Sequence, residues 1–139
     1  MESMLFMVHH TDDLPLIRQQ LQKLLQNLLG LQSALFEVAV NEALKNALRS
    51  STQTYGEPLV RIRVSLLGQA YISVRILDYG DGFPGNAILR SLPPKAPFES
   101  IPAHLPEDNM SLHLMRAATD HLTYNHLGNE ILMIKHLPN

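Results

Sequence analysis

From Val60 to Ile76 apolar side chains recur at every second position. Val60, Ile62, Val64 and Leu66 alternate with Arg61, Arg63 and Ser65. After Leu67-Gly68-Gln69, the residues Ala70, Ile72, Val74 and Ile76 alternate with Tyr71, Ser73 and Arg75. A period of two predicts a hairpin with one buried and one polar face, its arginines serving as solvated cover. The parity of Ile72, Val74 and Ile76 continues to Asp78, so an unbroken pleat directs that carboxylate to the buried side at the strand's end. A carboxylate there is unfavourable unless something hydrogen-bonds to it. Tyr79-Gly80-Asp81-Gly82-Phe83-Pro84 follows, with two glycines that permit backbone shapes denied to other residues.

Two helices precede the hairpin. Met4 to Val8 reads as a short strand, and Thr11, Asp12 and Asp13 as a helix start with a capping hydroxyl and acids near the positive end of the dipole. Leu14, Ile17, Leu21, Leu24, Leu25 and Leu28 then recur at helical spacing, with Pro15 in the first turn and Gly30 as terminator. Ser33 is read as the cap of a second helix running to about Ser50, with Phe36, Val40, Ala43, Leu44 and Ala47 on its buried face. Its polar residues form two rows at i, i+4, i+8: Asn41, Lys45, Arg49 and Glu42, Asn46, Ser50. The second row borders the apolar face. Beyond the hairpin, periodicity is lost from Gly85 to Asp108, where Pro93, Pro94, Pro97, Pro102 and Pro106 fall within fourteen residues, and a lid is expected over 85–108. Met110 to Asp120 reads as a helix with Leu112, Met115 and Ala118 on one side. Leu122-Thr123-Tyr124 and Ile131 to Leu137 close the chain as a hairpin around Leu127-Gly128-Asn129.

The order β-α-α-β-β-lid-α-β-β suits an α+β fold of one domain over 1–139, a two-layer sandwich. The sheet is expected to be mixed but mostly antiparallel, with helices covering one face. Composition narrows the function. A net charge of -2 argues against direct nucleic-acid binding, which needs a basic surface. The absence of cysteine excludes disulfides, thiol catalysis and cysteine-ligated zinc, and fits a reducing cytoplasm. No apolar run approaches a membrane span, and the start of the chain lacks the basic region of a secretory signal. Of seven histidines, His121 and His126 flank one strand with opposite parity, against a dedicated transition-metal site.

Glu-x-x-x-Asn on a helix, Asp-x-Gly-x-Gly after a strand, and a long loop leading into a helix stand in that order. The set resembles the Bergerat-fold (GHKL) ATPase superfamily of gyrase, histidine kinases and heat-shock chaperones, and within it the anti-sigma factors with serine kinase activity. Residues 40–47, Val-Asn-Glu-Ala-Leu-Lys-Asn-Ala, resemble the N-box of that branch. Residues 76–83, Ile-Leu-Asp-Tyr-Gly-Asp-Gly-Phe, resemble its first glycine box. Residues 112–120 resemble the helix after the second glycine box, and 128–132 the hairpin near the C-terminus.

The resemblance implies roles. Asn46 would hold Mg2+ through its amide oxygen, a hard ligand for a hard cation, and Glu42 would be general base toward a serine or threonine hydroxyl. Asp78 would accept from the adenine amino group of ATP, while Gly80 and Gly82 let the backbone approach base and ribose. In the second box, Asn109 and Ser111 stand around Met110 where the branch has Gly-x-Gly, followed by Leu112; all four are candidate nucleotide contacts. Their bulk, with the charge of Glu107 and Asp108, implies weakened ATP binding or binding after lid rearrangement. The implied partners are an anti-sigma factor antagonist as phosphorylation substrate and a sigma factor or other switch partner. A homodimer is a further expectation, with the Met4 to Val8 strand offering an edge. Three activities are compatible: a serine/threonine kinase in a partner-switching system, a pseudo-kinase acting by protein contact, and a histidine-directed ATPase domain. Glu42 favours the first over the last, because activating a serine hydroxyl benefits from a base.

Overall fold

The computed structural model describes residues 3–95, 97 and 107–138. Strand β1 (Ser3–Val8) leads through a single 3-10 turn into α1 (Leu14–Leu29) and, after a second such turn, α2 (Ser33–Tyr55). Strands β2 (Val60–Leu67) and β3 (Tyr71–Leu77) form the expected hairpin. Helices α3 (Gly85–Ser91) and α4 (Glu107–Ala117) and strands β4 (His121–Tyr124) and β5 (Glu130–His136) complete the chain.

The five strands form one sheet in the order β1-β2-β3-β5-β4, with every pairing antiparallel. The expectation of a mixed sheet is thus corrected. Two consecutive helices between β1 and β2 carry the chain away and back, so β2 enters opposite to β1. Register aligns the core in cross-strand rows. Phe6, Ile62, Ile76, Ile131 and Tyr124 form one row, and Met4, Val64, Val74, Met133 and Leu122 the next. Arg61 and Arg75 lie on the opposite face, flanking Glu130 at 3.8 and 3.7 Å. β1 is an edge strand, as expected.

Helices α1 and α2 cover the apolar face. Ile17, Leu21, Leu25 and Leu29 of α1 are buried, as are Phe36, Val40, Ala43, Leu44 and Ala47 of α2. The two polar rows of α2 separate as their spacing implies: Asn41, Lys45 and Arg49 are exposed, whereas Glu42, Asn46 and Ser50 are half-buried at the rim of the core.

Local details depart from expectation. Thr11 does not cap α1; the His10 ring accepts the Asp12 amide at 3.2 Å and the Asp13 carboxylate accepts the amides of His9 and His10 at 3.0 Å each. An imidazole and a carboxylate together satisfy more orphan donors than one hydroxyl. Ser33 is buried in the first turn of α2 rather than capping it. That helix runs past Ser50 to Tyr55, where Gly56 in the left-handed region (φ 78°) stops it and donates to Thr52 O at 2.8 Å. The stretch read as a loop from Gly85 opens with α3 instead. Leu89 and Leu92 are buried there, and a seven-residue helix is too short to register as a period among prolines. α4 runs from Glu107 to Ala117, three residues ahead of the expected Met110 to Asp120 at both ends, so Asn109 is inside the helix. Part of the expected lid (96 and 98–106) and the side chains of Glu107 and Asp108 lie outside the described residues. Arg116 of α4 donates to Leu89 O at 3.2 Å and to Pro93 O, and Lys95 donates to Thr119 O at 2.8 Å. These bonds fix α3 and the residues after it against α4.

Phe36 is fully buried between the helices and the sheet. Phe36→Ala should lower unfolding free energy by about 3–5 kcal/mol through lost burial and a residual cavity, read as a fall in the urea midpoint at unchanged slope.

Candidate functional site

A cavity of about 500 Å³ opens between α2, the end of β3 and the β4–β5 turn. Ala43, Ala47, Ile76, Leu112 and Ile131 make its apolar wall, and Phe83 and Tyr124 an aromatic one. Polar groups on it include Asn46, Arg49, Ser50, Gln53 and Asp78. An apolar hollow with few convergent polar groups is the usual form of a small-molecule site.

Asp78 is 8% exposed and faces this hollow, as strand parity requires. Burial pushes its carboxyl above the usual 3.8, partly opposed by hydrogen bonds from the Gly80 amide at 2.7 Å and the Ser50 hydroxyl. Three devices hold the loop that follows. Tyr79 takes φ 60°, a left-handed conformation unusual for its type, and its carbonyl accepts the Tyr55 hydroxyl at 2.5 Å. The extra turns of α2 beyond Ser50 deliver that phenol. The Asp78 amide donates to Asn129 O at 3.0 Å, and Asn129 Nδ2 to Gly80 O at 3.3 Å. Asn125 Oδ1 accepts the amides of Gly128, Asn129 and Glu130 at 2.7, 3.0 and 3.2 Å, shaping the turn that makes those contacts.

The glycines of the loop answer first to the protein itself. A Cβ on Gly82 (φ 83°) would stand 1.9 Å from Leu127 O, and one on Gly128 (φ 84°) 1.8 Å from Phe83 O. The two backbones interlock. A Cβ on Gly80 would approach Asp78 Oδ1 at 2.8 Å and Ser50 Oγ at 2.9 Å. Gly82 lies on the cavity wall; Gly80 is set behind it, under the carboxylate.

Glu42, Asn46 and Ser50 are spaced one turn apart, so the row spans about 12 Å along α2. Ser50 meets Asp78 at one end. At the other, Ser111 of α4 lies between the acid and the amide: its hydroxyl donates to Glu42 Oε2 at 3.1 Å and accepts from Asn46 Nδ2 at 3.1 Å. Arg49 Nη2 donates to Asn46 Oδ1 at 3.0 Å. Asn46, Asp78, Gly82 and Leu112 therefore line one hollow. Glu42 and Ser111 adjoin it through Asn46, and Asn109 and Met110 are half-buried on the first turns of α4, not among the described lining residues.

Several lining residues escaped sequence reasoning, among them Arg49, Ser50 and Tyr124. Arg49 belonged to the solvent row, yet its i, i+3 spacing from Asn46 lets the side chains meet. Ser50 was in the correct row but carried little weight. Tyr124 gave no signal beyond sharing its face with Leu122. Its phenol is pushed upward by burial and, secondarily, by the Asp78 charge, and its ring meets Phe83 edge-on at 4.9 Å.

A family model described as histidine kinase-like ATPase domain matches residues 8–135. The chain belongs to that family. No curated protein matches it. Among the described residues no helix is long and apolar enough to cross a membrane. A histidine kinase-like ATPase domain implies ATP binding, and this cavity suits the nucleotide. The buried Asp78 carboxylate is an acceptor aimed into an apolar, aromatic-walled hollow, which matches a base carrying an amino donor. The 12 Å row runs Asn46 and the acid Glu42 away from Asp78 along α2, with the cationic Arg49 of the neighbouring row beside Asn46. For a magnesium ion the donor chemistry fits: Asn46 Oδ1 is a hard oxygen, and Mg2+ commonly takes only one or two protein ligands beside phosphates and water. Arg49 occupies one of the two lone pairs of that oxygen.

Two outcomes follow for the ATPase domain. Gly82→Ala should destabilise it far more than Gly68→Ala: both glycines have positive φ, but nothing lies within 4 Å of the Gly68 position. Paired denaturant titrations check this. The second concerns pH. Because the folded pKa of Asp78 is raised, the native state holds this proton more tightly than the unfolded one. Stability therefore falls as pH rises from the usual 3.8 through the raised native value. Asp78→Asn keeps an acceptor for Gly80 and removes the titration, so its stability advantage over wild type should grow across that window, measured by melts at stepped pH.

Proposed function

We propose that this ATPase domain is an ATP-binding anti-sigma regulator that phosphorylates a serine or threonine of an antagonist protein and exchanges partners according to that modification. The observation that carries the reading is a hydroxyl hydrogen-bonded to Glu42, one turn along α2 from Asn46. A carboxylate within 3.1 Å of a serine Oγ has the separation a general base requires.

The residues divide the work along α2. Asp78 and Ser50 bind the adenine end. Asn46 holds the magnesium, which when bound offsets phosphate charge, and Arg49, freed from Asn46, pairs with phosphate oxygens as guanidinium groups do. Glu42 takes the proton of the incoming hydroxyl. The edge strand β1 offers backbone groups to a second copy or a switch partner.

A pseudo-kinase is the second reading, and one observation favours it. Ser111 engages Glu42 while Arg49 engages Asn46 Oδ1, so both groups are occupied within the chain. Calorimetry with ATP and magnesium separates the two; absence of heat at millimolar nucleotide selects the pseudo-kinase. On the kinase reading, Asp78→Asn should weaken ATP binding about tenfold or more, the worth of one charged hydrogen bond. Glu42→Gln should leave ATP affinity in place and slow labelled-phosphate transfer to the antagonist by about 10²–10⁴-fold. Unchanged transfer by Glu42→Gln would remove this residue from the role.

A further inference from the structure

We infer that Ser111 is itself a phosphate acceptor, modified in cis from ATP held in the cavity. The inference rests on the proposed roles of Glu42 and Asn46 and adds a modification site within the chain.

The hydroxyl has the surroundings of an activated nucleophile. Its proton points at Glu42 Oε2, 3.1 Å away, and one oxygen lone pair accepts from Asn46 Nδ2 at 3.1 Å. A serine oxygen has two lone pairs, so one remains for attack. Ser111 immediately precedes Leu112, which lines the cavity, and its partner Asn46 lines it too. The oxygen is thus one hydrogen bond from the wall beside which the triphosphate would extend. At 9% exposure it is shielded from a second protein's active site, which makes the domain's own nucleotide the natural donor.

The step balances. The remaining Oγ lone pair forms a bond to the γ-phosphorus of ATP. The bond from that phosphorus to the β–γ bridging oxygen breaks, and its electron pair leaves on ADP. The hydroxyl proton passes to Glu42. Once Glu42 has released that proton to water, the phosphoserine sets new negative charge against its carboxylate, where a neutral hydroxyl had joined α4 to α2. Like-charge repulsion then loosens that helix pair.

The test uses the full chain with ATP and magnesium, followed by intact-mass and peptide-mass analysis, with calorimetry on the same preparation. We expect one phosphoryl group on the peptide bearing Ser111, at a rate constant independent of protein concentration. Ser111→Thr should retain the modification and Ser111→Ala lose it. Glu42→Gln should slow it by about a hundredfold or more. The isolated phosphorylated protein should melt below the unmodified one, a readout independent of turnover. ATP heat without phosphate on Ser111, labelling that persists in Ser111→Ala, or a rate constant rising with protein concentration would overturn the inference and leave the nucleotide site standing. Absence of ATP heat would overturn both.

Discussion

Burying an aspartate at the end of a core-facing strand is unfavourable, and the surrounding fold has to offset it. Ile72, Val74 and Ile76 set the parity that turns Asp78 inward, and the helix-covered face leaves it almost no water. The Gly80 amide and the Ser50 hydroxyl answer part of the need. Delivering that amide requires the chain to double back under the carboxylate. Hence the left-handed Tyr79, the phenol of Tyr55 on its carbonyl, and a glycine at 80 where a side chain would strike Asp78 itself. What the loop does not supply is a donor from the cavity side, so the carboxylate keeps acceptor capacity toward the hollow.

The second determinant is the helix that faces this loop. α2 buries one stripe against the sheet and carries Glu42, Asn46 and Ser50 along the border of that stripe. Because the stripe is locked by core residues such as Phe36 and Leu44, the polar row can neither rotate nor slide. Its spacing is set by helix geometry alone, which fixes the distance between the group that meets Asp78 and the group that holds a hydroxyl. The core of the domain is therefore also the ruler of its site.

Much of this was legible in the chain because it follows from two periods. A period of two oriented Asp78, and a period of 3.6 placed Glu42, Asn46 and Ser50 together at the rim. What was not legible depended on contacts between distant segments. Nothing local to Ser111 shows that α4 packs its hydroxyl between Glu42 and Asn46, 69 and 65 residues away. The reason for Gly82 lies in Leu127, across a turn that read only as a turn. The start of α1 misled because His10 caps the 3-10 turn ahead of it through its ring, while a hydroxyl stood next to it. α3 was hidden by brevity, its one buried leucine, Leu89, being too little to mark a period.

The two ends of the row differ in a way that bears on chemistry. At the Asp78 end the acceptor faces a hollow, held ready by its own backbone, and can receive a donor without rearrangement. At the Glu42 end the acid and amide are joined to Ser111 and Arg49, and the acid stands behind Asn46 rather than on the wall. Ser111 fills the space before Glu42 from within the chain. The Asp78 end of the row is therefore preformed and open, whereas the Glu42 end is already occupied by the chain's own side chains.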